Sequence, residues 1–160
     1  MDFNASVLLC CKQALEAQVL QKEAHFEPFG QQRGIFITLY DYEGKEKMSL
    51  GFYHTKLDLK DAILKIVYKL AQVVSKDELQ GISYRIDLVK NLTKMEQIST
   101  IDTTRHGLIV ESHGFLGVVL PFIIHHKPVQ EALEMVYTKA GLLVESQEVT
   151  IYTFETDVIL

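Results

Sequence analysis

The first pairing that could do chemistry is a serine with its nearest histidine in sequence, Ser49 and His54, five positions apart in a run of strand-forming residues. A serine hydroxyl attacks only when a base takes its proton. Residues an odd number apart on a strand face opposite sides, so His54 is not that base. Unless a base arrives from elsewhere in the chain, Ser49 reads as an ordinary strand serine. Lys47 and Arg33 flank segments that should lie side by side, and together they would form a small anion-binding patch; the plainer reading is a solvated sheet edge.

Six histidines raise the question of a metal. His106, the run Glu111-Ser112-His113 and the pair His125-His126 all fall in the second half. Adjacent histidines in extended chain point opposite ways, and no His-x-x-x-His spacing for a helix occurs, so no metal site is expected. His106, next to Gly107, is the best candidate for a working histidine; its plainer reading is a turn residue that bonds a carbonyl. The glycines Gly34, Gly44, Gly51, Gly107, Gly114 and Gly117 are scattered singly, so no phosphate-cradling loop and no cofactor are expected. Cys10 and Cys11 are sequence neighbours that a helix cannot bridge, which points to reduced thiols and a cytoplasmic location.

Three helices and a set of strands must position these residues. Asn4 is the expected N-cap of a first helix, with Leu8, Cys11, Leu15 and Val19 at helical spacing. Residues 25–33, broken by Pro28 and Gly30, form a loop. Segments 34–40 and 48–53 make an antiparallel hairpin around Asp41-Tyr42-Glu43-Gly44, with Gly44 at positive φ. Asp58 caps a second helix whose stripe is Leu59, Ala62, Ile63, Ile66, Leu70 and Val73. Residues 82–88 alternate strictly, predicting a strand with one packed face and one wet face. A second hairpin, 108–112 with 116–120 around His113-Gly114, is apolar enough to be covered on both sides. Pro128 starts a third helix that Gly141 closes, and 149–158 form a last strand. The acidic tail Glu145, Glu148, Glu155 and Asp157 has no base nearby in sequence; it would suit a basic partner, and its plainer reading is the wet face of the last strand. The class is α+β with a mainly antiparallel sheet.

Several phrases taken in order resemble a known family: Arg33-Gly34-Ile35-Phe36-Ile37-Thr38-Leu39, Arg105-His106-Gly107-Leu108-Ile109-Val110, Leu116-Gly117-Val118-Val119-Leu120-Pro121, Lys139-Ala140-Gly141-Leu142 and Tyr152-Thr153-Phe154-Glu155. They are similar to the AMMECR domain family, which includes protein A of the AmmeMemoRadiSam system, from about the first helix to the C-terminus. The resemblance implies a two-lobed α+β domain with a cleft between unequal lobes. The family has no settled activity; its microbial members are often encoded with a Memo-type protein and a radical S-adenosylmethionine protein, which implies a protein partner of one of those kinds.

The family signature Leu-Arg-Gly-Cys-Ile-Gly falls on Glu46-Lys47-Met48-Ser49-Leu50-Gly51, and only the last glycine is kept. Lys47 keeps a positive charge but loses the planar fork of arginine. Ser49 replaces a thiol that would be partly ionised at neutral pH by a hydroxyl that is not. Roughly a dozen residues that relatives carry after the second helix are missing between Ala71 and Ser75, so a wall of the implied cleft is expected to be gone.

The 160 residues suit a single domain spanning 1–160, with 48% apolar and 23% charged residues as in an ordinary folded chain. A net charge of -5 works against undirected binding to phosphate backbones or anionic lipid, so nucleic acid is disfavoured. The acidic start Met1-Asp2-Phe3-Asn4 does not look like an export signal, and the most apolar window, residues 115–124, is far shorter than the ~20 residues of a membrane span. The leading expectation is a non-catalytic binding or accessory module. The alternative is an enzyme using Ser49, Lys47 and His106 in a cleft, with Arg33, Gly51, Tyr53 and His54 as binding residues.

Overall fold

The computed structural model describes residues 1–143 and 148–160, and Glu145 lies outside them. The chain divides into two compact units, Met1–Val89 with Asp157–Leu160, and Lys90–Thr156. The architecture is α+β; among the described residues there are four α-helices and six strands, and every strand pair described is antiparallel.

In the first unit, helix α1 (Phe3–Val19) is capped by Asp2, whose carboxylate accepts from the Ala5 amide at 2.7 Å. Asn4 lies inside the helix, so the cap sits two residues earlier than the periodicity suggests; both residues have capping side chains, and the extended backbone of Asp2 decides between them. The hairpin pairs β1 (Ile35–Tyr40) with β2 (Glu46–Phe52), and Gly44 turns it at φ 80°. Helix α2 (Leu59–Leu70) buries Leu59, Ala62, Ile63, Ile66, Val67 and Leu70. Its cap, Asp58, also accepts from the Phe29 and Gly30 amides at 3.0 and 2.7 Å, which ties the 25–33 loop to the helix start. These amides hold the Asp58 carboxyl below the usual carboxylate range, although burial opposes them. Beyond α2 the chain makes one short 3-10 turn, Ala71–Val73, before Ser75. Leu15, Ile35, Ile37, Leu39, Ile63 and Ile86 are among the fully buried side chains of this unit's core.

Strand β3 (Ser83–Lys94) is longer than its alternating segment and runs from the first unit into the second, as β6 (Thr150–Ile159) runs back. The wet face expected of β3 is corrected by Asp87, which is fully buried. In the second unit β4 (Gly107–Ser112) pairs with β5 (Phe115–Val119) and with β6. His113 and Gly114, at φ 46° and 86°, make the tight turn between β4 and β5. Covering on both sides holds for β4 but not for the start of β5, where Phe115 and Leu116 are exposed. A one-turn helix, α3 (Pro121–Ile124), precedes α4 (Val129–Ala140), which Gly141 ends in the left-handed conformation. The core of this unit joins Leu108, Val110, Val119, Ile124, Leu133 and Val136.

Candidate functional site

The signature positions lie on β2, the terminal strand of its sheet. Met48 pairs with Leu39 and Glu46 with Tyr40, so Lys47 is the extra residue of a β-bulge. Bulges re-aim side chains, and the Lys47 ammonium is bonded to the Glu78 carboxylate. The other Glu78 oxygen accepts from the Ser75 amide at 3.1 Å, while the Glu78 amide donates back to the Ser75 hydroxyl at 3.3 Å. Held by Lys47 and Ser75, the Glu78 carboxyl falls to about 2. Ser49 faces Thr38 across the hairpin, and their hydroxyls are 2.8 Å apart. A hydroxyl is a poor proton acceptor, so this contact fixes the Ser49 side chain without activating it. Gly51, the one signature residue kept, has a packing reason: a Cβ there would lie 2.1 Å from the Ile35 carbonyl oxygen.

The same face of the sheet carries two residues that the alternating pattern had placed in solvent. Arg85 pairs with Thr38 in the register and Asp87 with Phe36. The Arg85 guanidinium donates to both oxygens of the buried Asp87, at 3.1 and 3.4 Å. Burial raises the nearby Tyr40 phenol, with Arg85 opposing and Glu46 and Asp87 adding. An arginine and an aspartate two apart on a strand must share a face, and that was the available signal for this pair. Arg33 donates to Asp157 at 2.6 Å and to the Val89 carbonyl at 3.0 Å, so Arg33 and Lys47 each hold a carboxylate of their own. Tyr53 meets the exposed His54 edge to face, with ring centroids 4.4 Å apart. Burial raises both thiols, Cys10 to about 11, which removes them as nucleophiles near neutral pH.

His106 belongs to the second unit and is 8% exposed. Its Nδ1 accepts from the Asp102 amide at 3.0 Å, while its own amide donates to the Asp102 carbonyl at 2.8 Å. The ring therefore closes a turn by accepting an N–H rather than by bonding a carbonyl. His125 and His126 do not point opposite ways: the chain turns at His126, φ 63°, and the ring centroids lie 3.8 Å apart. The last strand's acids are not free of bases, since Glu148 meets His113 at 2.7 Å, Glu155 lies 3.9 Å from Arg105, and Asp157 holds Arg33. Among the described residues no group of three or more His, Cys, Asp and Glu is placed to hold a metal.

Burial lowers the His106 pKa, Arg105 adds to this, and Glu155 and Asp102 oppose it. The folded chain thus protonates His106 only below the ordinary value of 6.5. The stability it lends is complete above that pH and is lost as pH falls through the window beneath it, because the unfolded chain protonates first. His106→Asn keeps an acceptor for the Asp102 amide and cannot titrate. Its melting temperature is expected to fall less steeply than wild type between about pH 7 and about pH 5.5, as thermal denaturation followed by circular dichroism will show.

This architecture is shared with a solved structure, the uncharacterized protein PH0010 from Pyrococcus horikoshii. The TM-score is 0.80 over 95% of this chain and 88% of the other, at 20% identity. The fold class is therefore that of PH0010. A protein of Thermotoga maritima is 28% identical over 138 residues, covering 82% of this chain and 79% of its own. One of Methanococcus aeolicus is 31% identical over 149 residues, covering 81% and 74%. Residues 8–159 match the AMMECR1 family, and the chain belongs to it.

Proposed function

We propose that this chain is a non-catalytic binding module, an accessory subunit that holds a protein partner in the cytoplasm. The observation that carries the reading is the quiet signature strand. The Ser49 hydroxyl is engaged by another hydroxyl, and the Lys47 ammonium by a carboxylate that stays ionised down to about pH 2. A nucleophile needs a base within reach, and the recorded partner of Ser49 is not one. The partner class follows from the family setting: a Memo-type protein or a radical S-adenosylmethionine protein. Among the described residues no helix is long and apolar enough to cross a membrane.

Tagged full-length chain used to capture proteins from the cells that make it is expected to bring down one protein in near-stoichiometric amount. Ser49→Ala should retain it and lower stability by about 1–3 kcal/mol, since the buried Thr38 hydroxyl loses this bond. Absence of any captured protein would overturn the reading.

A further inference from the structure

Resting on the binding reading, we infer that the free edge of β2 and the groove beside α2 take an extended segment of a partner protein whose groove-facing side chains, every second residue, are apolar and acidic in turn. The phase of the hairpin shows which backbone groups are available. The Val89 amide donates to the Gly34 carbonyl at 2.8 Å, so the even-numbered residues of β1 turn their backbone groups toward β3. Ile35, Ile37 and Leu39 then bond β2 through Phe52, Leu50 and Met48. Ser49 and Gly51 are left with N–H and C=O directed away from the sheet, and β2 has no strand beyond it. Such an edge is a template for one more strand.

Beside that edge lies a cavity of about 470 Å³. Leu50, Gly51 and Phe52 line it from β2, and Leu64 and Tyr68 from α2. An added strand would place every second side chain against these apolar groups. Lys65 and Lys69, one helical turn apart and exposed, also line it, and among the described residues neither is within ion-pair distance of a carboxylate. Backbone groups call for an extended main chain, and the apolar lining and the two ammonium groups, which share one groove, call for hydrophobic and acidic side chains on the same face of it. A second copy of this chain fits less well, because pairing β2 with its symmetry mate would set one lysine pair against another.

The probe is a fluorescein-labelled peptide of about eight residues in which every second residue is valine or glutamate in turn and the intervening residues are threonine, compared with its counterpart carrying lysine for glutamate and with a version N-methylated at alternate amides. Fluorescence anisotropy should show the glutamate peptide binding full-length chain about tenfold more tightly than the lysine peptide. The preference should reverse in Lys65→Glu/Lys69→Glu, and N-methylation should abolish binding. Ser49→Pro removes an outward N–H without touching the β1 ladder and should weaken binding, whereas Ser49→Ala should not. Equal binding of all three peptides, or no binding of the glutamate peptide, overturns the inference. So does a wild-type dimer that Ser49→Pro or the lysine reversal dissociates, since the edge would then hold a second copy. If the partner captured from cells survives both Ser49→Pro and the lysine reversal, this site falls while the binding reading stands; if wild type captures nothing, the binding reading itself falls.

Discussion

Gly51→Ala is expected to lower the stability of the chain by about 3 kcal/mol, at the upper end for an overpacked site, and the melting temperature by about 6–12 °C. A single methyl group is enough. The Cβ would lie 2.1 Å from the Ile35 carbonyl oxygen and 2.7 Å from the Phe36 Cα, and both are backbone atoms that cannot swing aside as a flexible side chain would. Either β2 separates from β1 or the hairpin shifts, and both outcomes disturb the strand that carries Lys47 and Ser49. Gly44→Ala is the control. There nothing lies within 4 Å of the added methyl, and only the positive φ of 80° is penalised, so its loss should be nearer about 1 kcal/mol. Chemical denaturation of the two variants checks the difference; equal losses would mean that close approach is not why Gly51 is kept.

Asp87→Ala should have an effect of similar size by a different route. Asp87 is fully buried and Arg85 largely so, with side-chain exposures of 0% and 19%. Removing the carboxylate leaves the guanidinium on a covered face without its fork partner, which in buried pairs costs about 3–5 kcal/mol; the partial exposure of Arg85 places this case near the lower end. Most of that loss is the penalty of disturbing a covered charge, not the worth of the pair. Arg85→Met/Asp87→Leu should therefore recover much of it, and the double-mutant cycle should be strongly non-additive. Additive losses would show that the two residues act through separate contacts.

The sequence made the helices legible because their burial is periodic. The α2 stripe as far as Leu70 and its Asp58 cap, the Gly44 turn and the Gly141 stop follow from local rules and appear in the structure, whereas Val73 falls beyond the helix in the 3-10 turn. What stayed hidden depends on distant neighbours. Period-two alternation shows that Arg85 and Asp87 share a face but not that the face is covered. The bulge that turns Lys47 toward Glu78 joins residues 31 apart, and the Arg33 bond to Asp157 spans 124. Neither pairing leaves a mark in local pattern. Close approach at Gly51 is likewise invisible until the register of the hairpin is known, since a lone glycine in a strand marks a bulge, a bend or a close neighbour without saying which.

The central claim is that Ser49 is chemically quiet in an inherited scaffold. Its most direct test is to incubate the full-length chain with a fluorophosphonate, which acylation-competent serines attack, and to locate any adduct by peptide mass spectrometry. The account predicts no adduct on Ser49, and the peptide that carries position 49 free of fluorophosphonate in both wild type and Ser49→Ala. An adduct on Ser49, together with a substrate turnover that a folded Ser49→Ala lacks, would contradict it.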